Sequence, residues 1–160
     1  MNELMLFTDG SANTKSKIGY GAYLIVVEGE FSYESLKSQV RIKRFEDTSS
    51  TKLELETLLW ALKENDFSEG KLKIYTDSQN ILSLLERRER LEQNNYRSKK
   101  NKLINNYQLY QEFYKIIDMI NCKFIKVRGH KRSIQKDDID QIFSLVDRAS
   151  RNALRKEILE

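Results

Sequence analysis

The chain has 160 residues, 39% of them hydrophobic, which suits one domain with a sizeable core and excludes two large ones. Its 28 lysines and arginines against 24 aspartates and glutamates leave a net charge of +4, a balance that suits a soluble protein and hints only mildly at an anionic partner. No apolar run approaches the roughly 20 residues of a membrane span and the start lacks a signal-peptide pattern, so a cytoplasmic location is expected. The lone Cys122 excludes a disulfide framework or a thiolate zinc site and reads as a buried structural thiol. The lone His130 excludes multi-histidine centres, so any metal site must be built from carboxylates.

Apolar runs of strand length occur at Leu4 to Thr8 and Tyr20 to Val27, with a weaker alternation from Phe31 to Arg44 that Gly29 sets off as the second arm of a hairpin. The Ser49, Ser50, Thr51 cluster is a natural N-cap for a helix over about 51–65, carrying Leu55, Leu58, Leu59 and Leu62. A strand at Lys71 to Thr76 follows, and then a helix capped by Ser78. Leu103 to Ile120 describe a longer helix, Cys122 to Val127 a last strand, and Ile142 to Leu154 a C-terminal amphipathic helix. Tyr107, Tyr110, Phe113 and Tyr114 recur at helical spacing among apolar neighbours, which reads as core packing rather than base stacking. About five strands interleaved with helices predict an α/β fold, a mixed sheet with helices on its faces.

Two of the strands share an ending. Leu4 to Gly10 and Leu72 to Ser78 each run apolar residues into Thr-Asp and then break. As parallel neighbours about 4.8 Å apart, they would bring Asp9 and Asp77 side by side at one sheet edge, where a divalent cation relieves the repulsion of the two carboxylates. On the first helix Glu54 falls roughly 40° from Leu58, at the edge of the apolar face, whereas Glu56 falls near Lys63 on the polar side and reads as solvated. Asp147 follows the core residue Val146 on the last helix, where it can point toward the sheet edge or pair with Arg151 at i+4. Asp137, Asp138 and Asp140 crowd the start of that helix as dipole and capping residues.

Taken in order, Phe7-Thr8-Asp9-Gly10-Ser11, Gly19-Tyr20-Gly21-Ala22, Leu53-Glu54-Leu55, Thr76-Asp77-Ser78-Gln79, Val127-Arg128-Gly129-His130 and Val146-Asp147-Arg148-Ala149 resemble ribonuclease H of type 1. The resemblance reaches from residue 7 to about 154. It implies the ribonuclease H-like fold, a five-stranded mixed sheet flanked by α-helices in a single domain. It also implies an endonuclease that cuts the RNA strand of an RNA–DNA hybrid, leaving 5′-phosphate and 3′-hydroxyl ends. Asp9, Glu54, Asp77 and Asp147 then stand at the four metal-coordinating carboxylates and His130 at the catalytic histidine. Gly10, Ser11 and Gln79 match positions near the substrate backbone, and the stretch around Thr51 matches a polar substrate-contacting turn. Two features depart from the family: Ala12 to Lys17 lacks the usual Gly/Pro-rich sequence, and the interval from His130 to Asp147 is long.

Four oxygen donors without cysteine favour two Mg²⁺ ions, or Mn²⁺, over zinc. His130, with an ordinary pKa of about 6.5, suits proton shuttling or product release. Residues 86–102 hold seven basic against three acidic residues, a net of +4. Many type 1 members carry a basic protrusion here, which makes Arg97, Lys99, Lys100 and Lys102 phosphate contacts and lets Tyr96 stack or pack on the sugar backbone. The bland alternative is a solvated helix end in which Glu86 and Arg90 pair. A monomer without an obligate protein partner is expected. A hybrid-binding module without catalysis and a DNA-cutting resolvase or integrase core are the competing functions.

Overall fold

The structure, a computed structural model, describes residues 3–29, 31–128 and 137–159. Among these residues the chain forms, in order, β1 (Leu4–Asn13), β2 (Ile18–Val27), α1 (Tyr33–Lys37), β3 (Arg41–Phe45), α2 (Ser50–Glu64), β4 (Lys71–Thr76), α3 (Gln79–Gln93), α4 (Tyr107–Ile117), β5 (Asn121–Lys126) and α5 (Asp138–Leu159). The strands make one sheet in the order β3-β2-β1-β4-β5. β2 pairs antiparallel with β1 and β3, whereas β4 pairs parallel with β1 and β5. This is the expected mixed five-stranded sheet.

Both faces of the central strands are covered, so β1 is apolar on successive residues rather than on alternate ones. Leu6 joins Ile74, Leu55, Leu58 and Phe113 in the core on the α2, α3 and α4 side. Met5 and Phe7 face the other way, into a second core with Tyr75, Ile142 and Val146 beneath α5.

Helix α2 approaches the sheet where the sheet has no side chains. Gly10 and Gly21 are directly paired across β1 and β2. A Cβ placed on Gly10 would lie 2.9 Å from Leu53, one on Gly19 2.7 Å from Leu53, and one on Gly21 only 2.1 Å from the Thr57 hydroxyl oxygen. Leu53 and Thr57 are both fully buried, and Thr57 satisfies its hydroxyl by donating to the Leu53 carbonyl at 2.8 Å. The three bare positions let the helix backbone settle close enough for its flanking residues to reach the end of β1.

Ser49 caps α2 by accepting from the Lys52 N–H, and Ser78 caps α3 by accepting from the Ile81 N–H. Two expectations need correction. The alternation from Phe31 to Arg44 is not one strand: residues 33–37 form a short helix that buries Leu36, and only Arg41–Phe45 pairs with β2. Apolar residues at i and i+3 satisfy a helical turn as well as they do a ragged strand, and the single inward Leu36 decides it. The helix expected from Leu103 to Ile120 is confined to Tyr107–Ile117, since Leu103 instead bridges back to Arg97.

The Gly21→Ala variant is expected to lose about 2–3 kcal/mol of stability through overpacking against Thr57. Adding Thr57→Ala should recover part of that loss, and urea denaturation midpoints of the two variants test this.

Candidate active site

The register of the sheet sets the first two acids. β1 and β4 pair in parallel from Leu4 with Leu72 to Phe7 with Tyr75. β4 then ends at Thr76, while β1 continues to Asn13 on β2 alone. Asp9 therefore lies inside a strand, not at its end, at the point where one neighbour has stopped. Asp77, two residues past Tyr75 on β4 as Asp9 is past Phe7 on β1, comes up beside it. The third acid comes from α2: Glu54 follows Leu53, the residue seated over Gly10. One carboxylate oxygen from each of Asp9, Glu54 and Asp77 can be chosen so that all three lie within 4.8 Å of one another.

Proton affinities record the strain of this grouping. Asp9 is 7% exposed. Burial, then the charge of Asp77, then a hydrogen bond and the charge of Asp147 push its pKa from 3.8 up to about 9, against a smaller pull from the Gly10 backbone. Glu54 is also raised, chiefly by burial and further by Asp77, while a hydrogen bond from the buried Ser78 hydroxyl acts the other way. Every charged group acting on these two carboxyls is itself acidic. An oxygen-only set with this much uncompensated charge fits hard divalent cations, and Asp9, Glu54 and Asp77 are the residues that would hold them.

Asp147, in the third turn of α5, reaches the same place from the opposite face. It hydrogen-bonds to Asp9 and is also gripped by Arg151, whose Nε and second guanidinium nitrogen donate to its two oxygens at 3.1 and 2.6 Å. Both readings of Asp147 from sequence thus hold together in one geometry. Below it, Ser150 contacts Ser11 at 3.4 Å. Asp137 and the buried Asp140 do cap α5, the Asp140 N–H donating to Asp137 at 2.9 Å. His130 lies outside the described residues.

The remaining sequence-derived residues divide into rim and core. Gly10 and Ser11 continue β1 past Asp9, Thr51 is exposed in the first turn of α2, and Gln79 opens α3 with its carboxamide oxygen accepting from Lys126 at 3.0 Å. Arg97, Lys99, Lys100 and Lys102 are exposed on the loop after α3, where Arg97 donates to the Asn101 carbonyl at 3.0 Å. Only part of the 86–102 stretch is a loop, because α3 runs to Gln93. Within it the ion pairs join Arg88 to Glu92 and Asp118, rather than Glu86 to Arg90 as in the bland alternative. Tyr96 does not stack on a substrate: it is 8% exposed and packs in the core with Leu91, Tyr110 and Tyr114. Its backbone is left-handed, φ 58°. Cys122 is half-buried, and burial raises its thiol pKa.

Sequence reading missed the Ser78 hydrogen bond to Glu54. Its only signal was the cap position, which accounts for the hydroxyl's acceptor side and leaves its proton free for Glu54.

In the folded chain Asp9 holds its proton to about pH 9, whereas unfolded it releases it near 3.8. Without metal, stability therefore falls as pH rises through that interval, because the unfolded state sheds a proton that the folded state keeps. Asp9→Asn should accordingly raise the melting temperature in EDTA by roughly 2–8 °C near pH 8, with a smaller gain near pH 5. Thermal melts at the two pH values check this.

Comparison with known proteins agrees with the geometry. The RNase H family model matches residues 1–148, a span that includes all four acids. The chain is 26% identical over 145 residues to Ribonuclease H of Caldicellulosiruptor saccharolyticus, covering 89% of this chain and 94% of that one. It is 24% identical over 148 residues to Ribonuclease H of Clostridium botulinum strain Hall, covering 89% and 93%. Against Ribonuclease H of Syntrophomonas wolfei the identity is 23% over 158 residues, covering 97% and 98%. The match spans all five strands and the first three turns of α5, and the chain belongs to the ribonuclease H family.

Proposed function

We propose that this protein is an endonuclease that hydrolyses the RNA strand of RNA–DNA hybrids with two Mg²⁺ ions, Mn²⁺ being able to substitute, and leaves 5′-phosphate and 3′-hydroxyl ends. The observation that carries the reading is the meeting of Asp9, Glu54 and Asp77 within 4.8 Å, with Asp147 bonded to Asp9 from the opposite face of the sheet. When bound, the cations supply activation of the attacking water and stabilisation of the leaving oxygen.

The chain's own residues do the rest. Asp9 and Asp77 are set by strand register and Glu54 by the packing of Leu53, so the donor oxygens are placed before substrate arrives. Asp147 closes the set from α5. His130 serves as the proton carrier that assists product release. Gly10, Ser11, Thr51 and Gln79 border the carboxylates and take the hybrid's sugars and phosphates. Discrimination of hybrid from DNA duplex requires contact with 2′-hydroxyls across a wide minor groove, which short polar groups such as Ser11 and Thr51 can supply. Arg97, Lys99, Lys100 and Lys102, exposed on one loop, bind phosphates farther along the duplex. No helix among the described residues is long and apolar enough to cross a membrane.

End-labelled RNA–DNA hybrid, duplex DNA and duplex RNA, each with Mg²⁺, Mn²⁺ or EDTA, test the reading. Metal-dependent cuts confined to the RNA strand of the hybrid are expected, with Asp9→Asn or Asp77→Asn lowering kcat at least about a hundredfold. Equal cutting of duplex DNA would point to a resolvase-like nuclease, and binding without cleavage to a binding module. Replacing Lys99, Lys100 and Lys102 by Ala should raise KM and flatten its dependence on salt, by about 0.9 in the log–log slope for each phosphate no longer neutralised, with kcat little changed.

A further inference from the structure

Glu56 takes no part in the carboxylate cluster, and its place on the polar side of α2 gives it no evident task. Its carboxylate nevertheless accepts a 2.6 Å hydrogen bond from the hydroxyl of Thr48, a residue outside any helix or strand that is only 5% exposed. Thr48 is held from two further sides. Its N–H donates to the Lys17 carbonyl at 2.9 Å, which joins the turn before α2 to the turn between β1 and β2. Its methyl carbon lies over Gly19, 3.1 Å from where a Cβ would stand. Lys52 extends the same assembly by donating from Nζ to the Asp47 carbonyl at 3.1 Å.

Helix capping does not require this. Ser49 caps α2 through the Lys52 N–H, and Thr48 and Glu56 add nothing to that bond. Their tie does hold the turn against α2, from where the Thr48 N–H reaches the Lys17 carbonyl of the β1–β2 turn, and the turn leads directly into Thr51. A partly covered carboxylate gives up solvation to make such a tie, and the result is a surface that needs no ordering when a ligand arrives.

We infer that Glu56 and Thr48 are positioning residues, which hold the turn leading into Thr51 against α2, with the β1–β2 turn bracing it from the other side, so that Thr51 meets the hybrid backbone on a preformed surface. The inference rests on the hybrid-cleaving reading above. Neither residue touches the reacting phosphate, so the effect belongs in KM rather than in kcat.

The test is steady-state hybrid cleavage by the full chain. Thr48→Val keeps the shape and removes the hydroxyl; it should raise KM about five- to twentyfold with kcat within about twofold, and Glu56→Ala should do the same. Glu56→Gln, whose amide oxygen still accepts, should return KM to within about twofold of the parent, as should Thr48→Ser if the valine variant folds poorly. Hydrogen exchange at the Thr48 amide should quicken in Thr48→Val. The inference is overturned if Thr48→Val and Glu56→Ala lower the melting temperature but leave KM unchanged, or if Gln and Ala at position 56 do equal harm. A parent chain that leaves hybrid uncut overturns the underlying reading and this inference with it, a result visible before any variant is compared.

Discussion

Everything at the active site depends on how closely α2 can approach the sheet. Side chains at positions 10, 19 and 21 would hold the helix away, whereas glycines let Leu53 and Thr57 rest on bare backbone. Because Glu54 is the neighbour of Leu53, the same close packing that builds the core also delivers a carboxylate to the end of β1. The sheet contributes the other half of the constraint. β4 stops while β1 goes on, and that mismatch in strand length leaves a notch in which the Asp9 side chain loses one neighbour and gains Asp77. Stability and placement are therefore not separate achievements here, since a single set of contacts serves both.

The grouping works against its own fold. Asp9 is buried among acids, and its raised proton affinity measures how unfavourable negative charge is there. Ser78 and Arg151 each relieve one member, Glu54 and Asp147 respectively, without supplying a cation to the centre. The site is thus left in need of positive charge, and the second core beneath α5 has to be strong enough to carry that need. Protein active sites commonly trade stability for function in this way.

Much of this was legible in the chain itself. Leu4 to Asp9 and Leu72 to Asp77 announce matched strands because a run of apolar residues ending in Thr-Asp is local information, and the structure pairs them in parallel. Glu54 could be told from Glu56 by helical rotation alone. Periodicity says which side of an element is covered, but not what covers it. Hence Tyr96 reads as available for stacking although it packs in the core, and Arg88 pairs with Asp118, 30 residues away, rather than with a partner on its own helix alone. The bond from Thr48 to Glu56 was invisible for the same reason. Its two members read separately as a loop residue and a solvated acid, and only the fold brings them within 2.6 Å.

The two outer strands carry a consequence for how the molecule behaves in a crowd. β3 places Arg41, Lys43 and Arg44 along one margin of the sheet, and β5 places Lys123 and Lys126 along the other. Strand margins have unpaired amide and carbonyl groups that invite a second chain to extend the ladder. Arg41 and Arg44 are held in ion pairs with Glu64, Glu46 and Glu157, and Lys43 on β3 with Lys123 and Lys126 on β5 puts like charges in the way of any such approach. Surplus cations that look, in composition, like a mild affinity for nucleic acid thus also protect the sheet from lengthening into an aggregate.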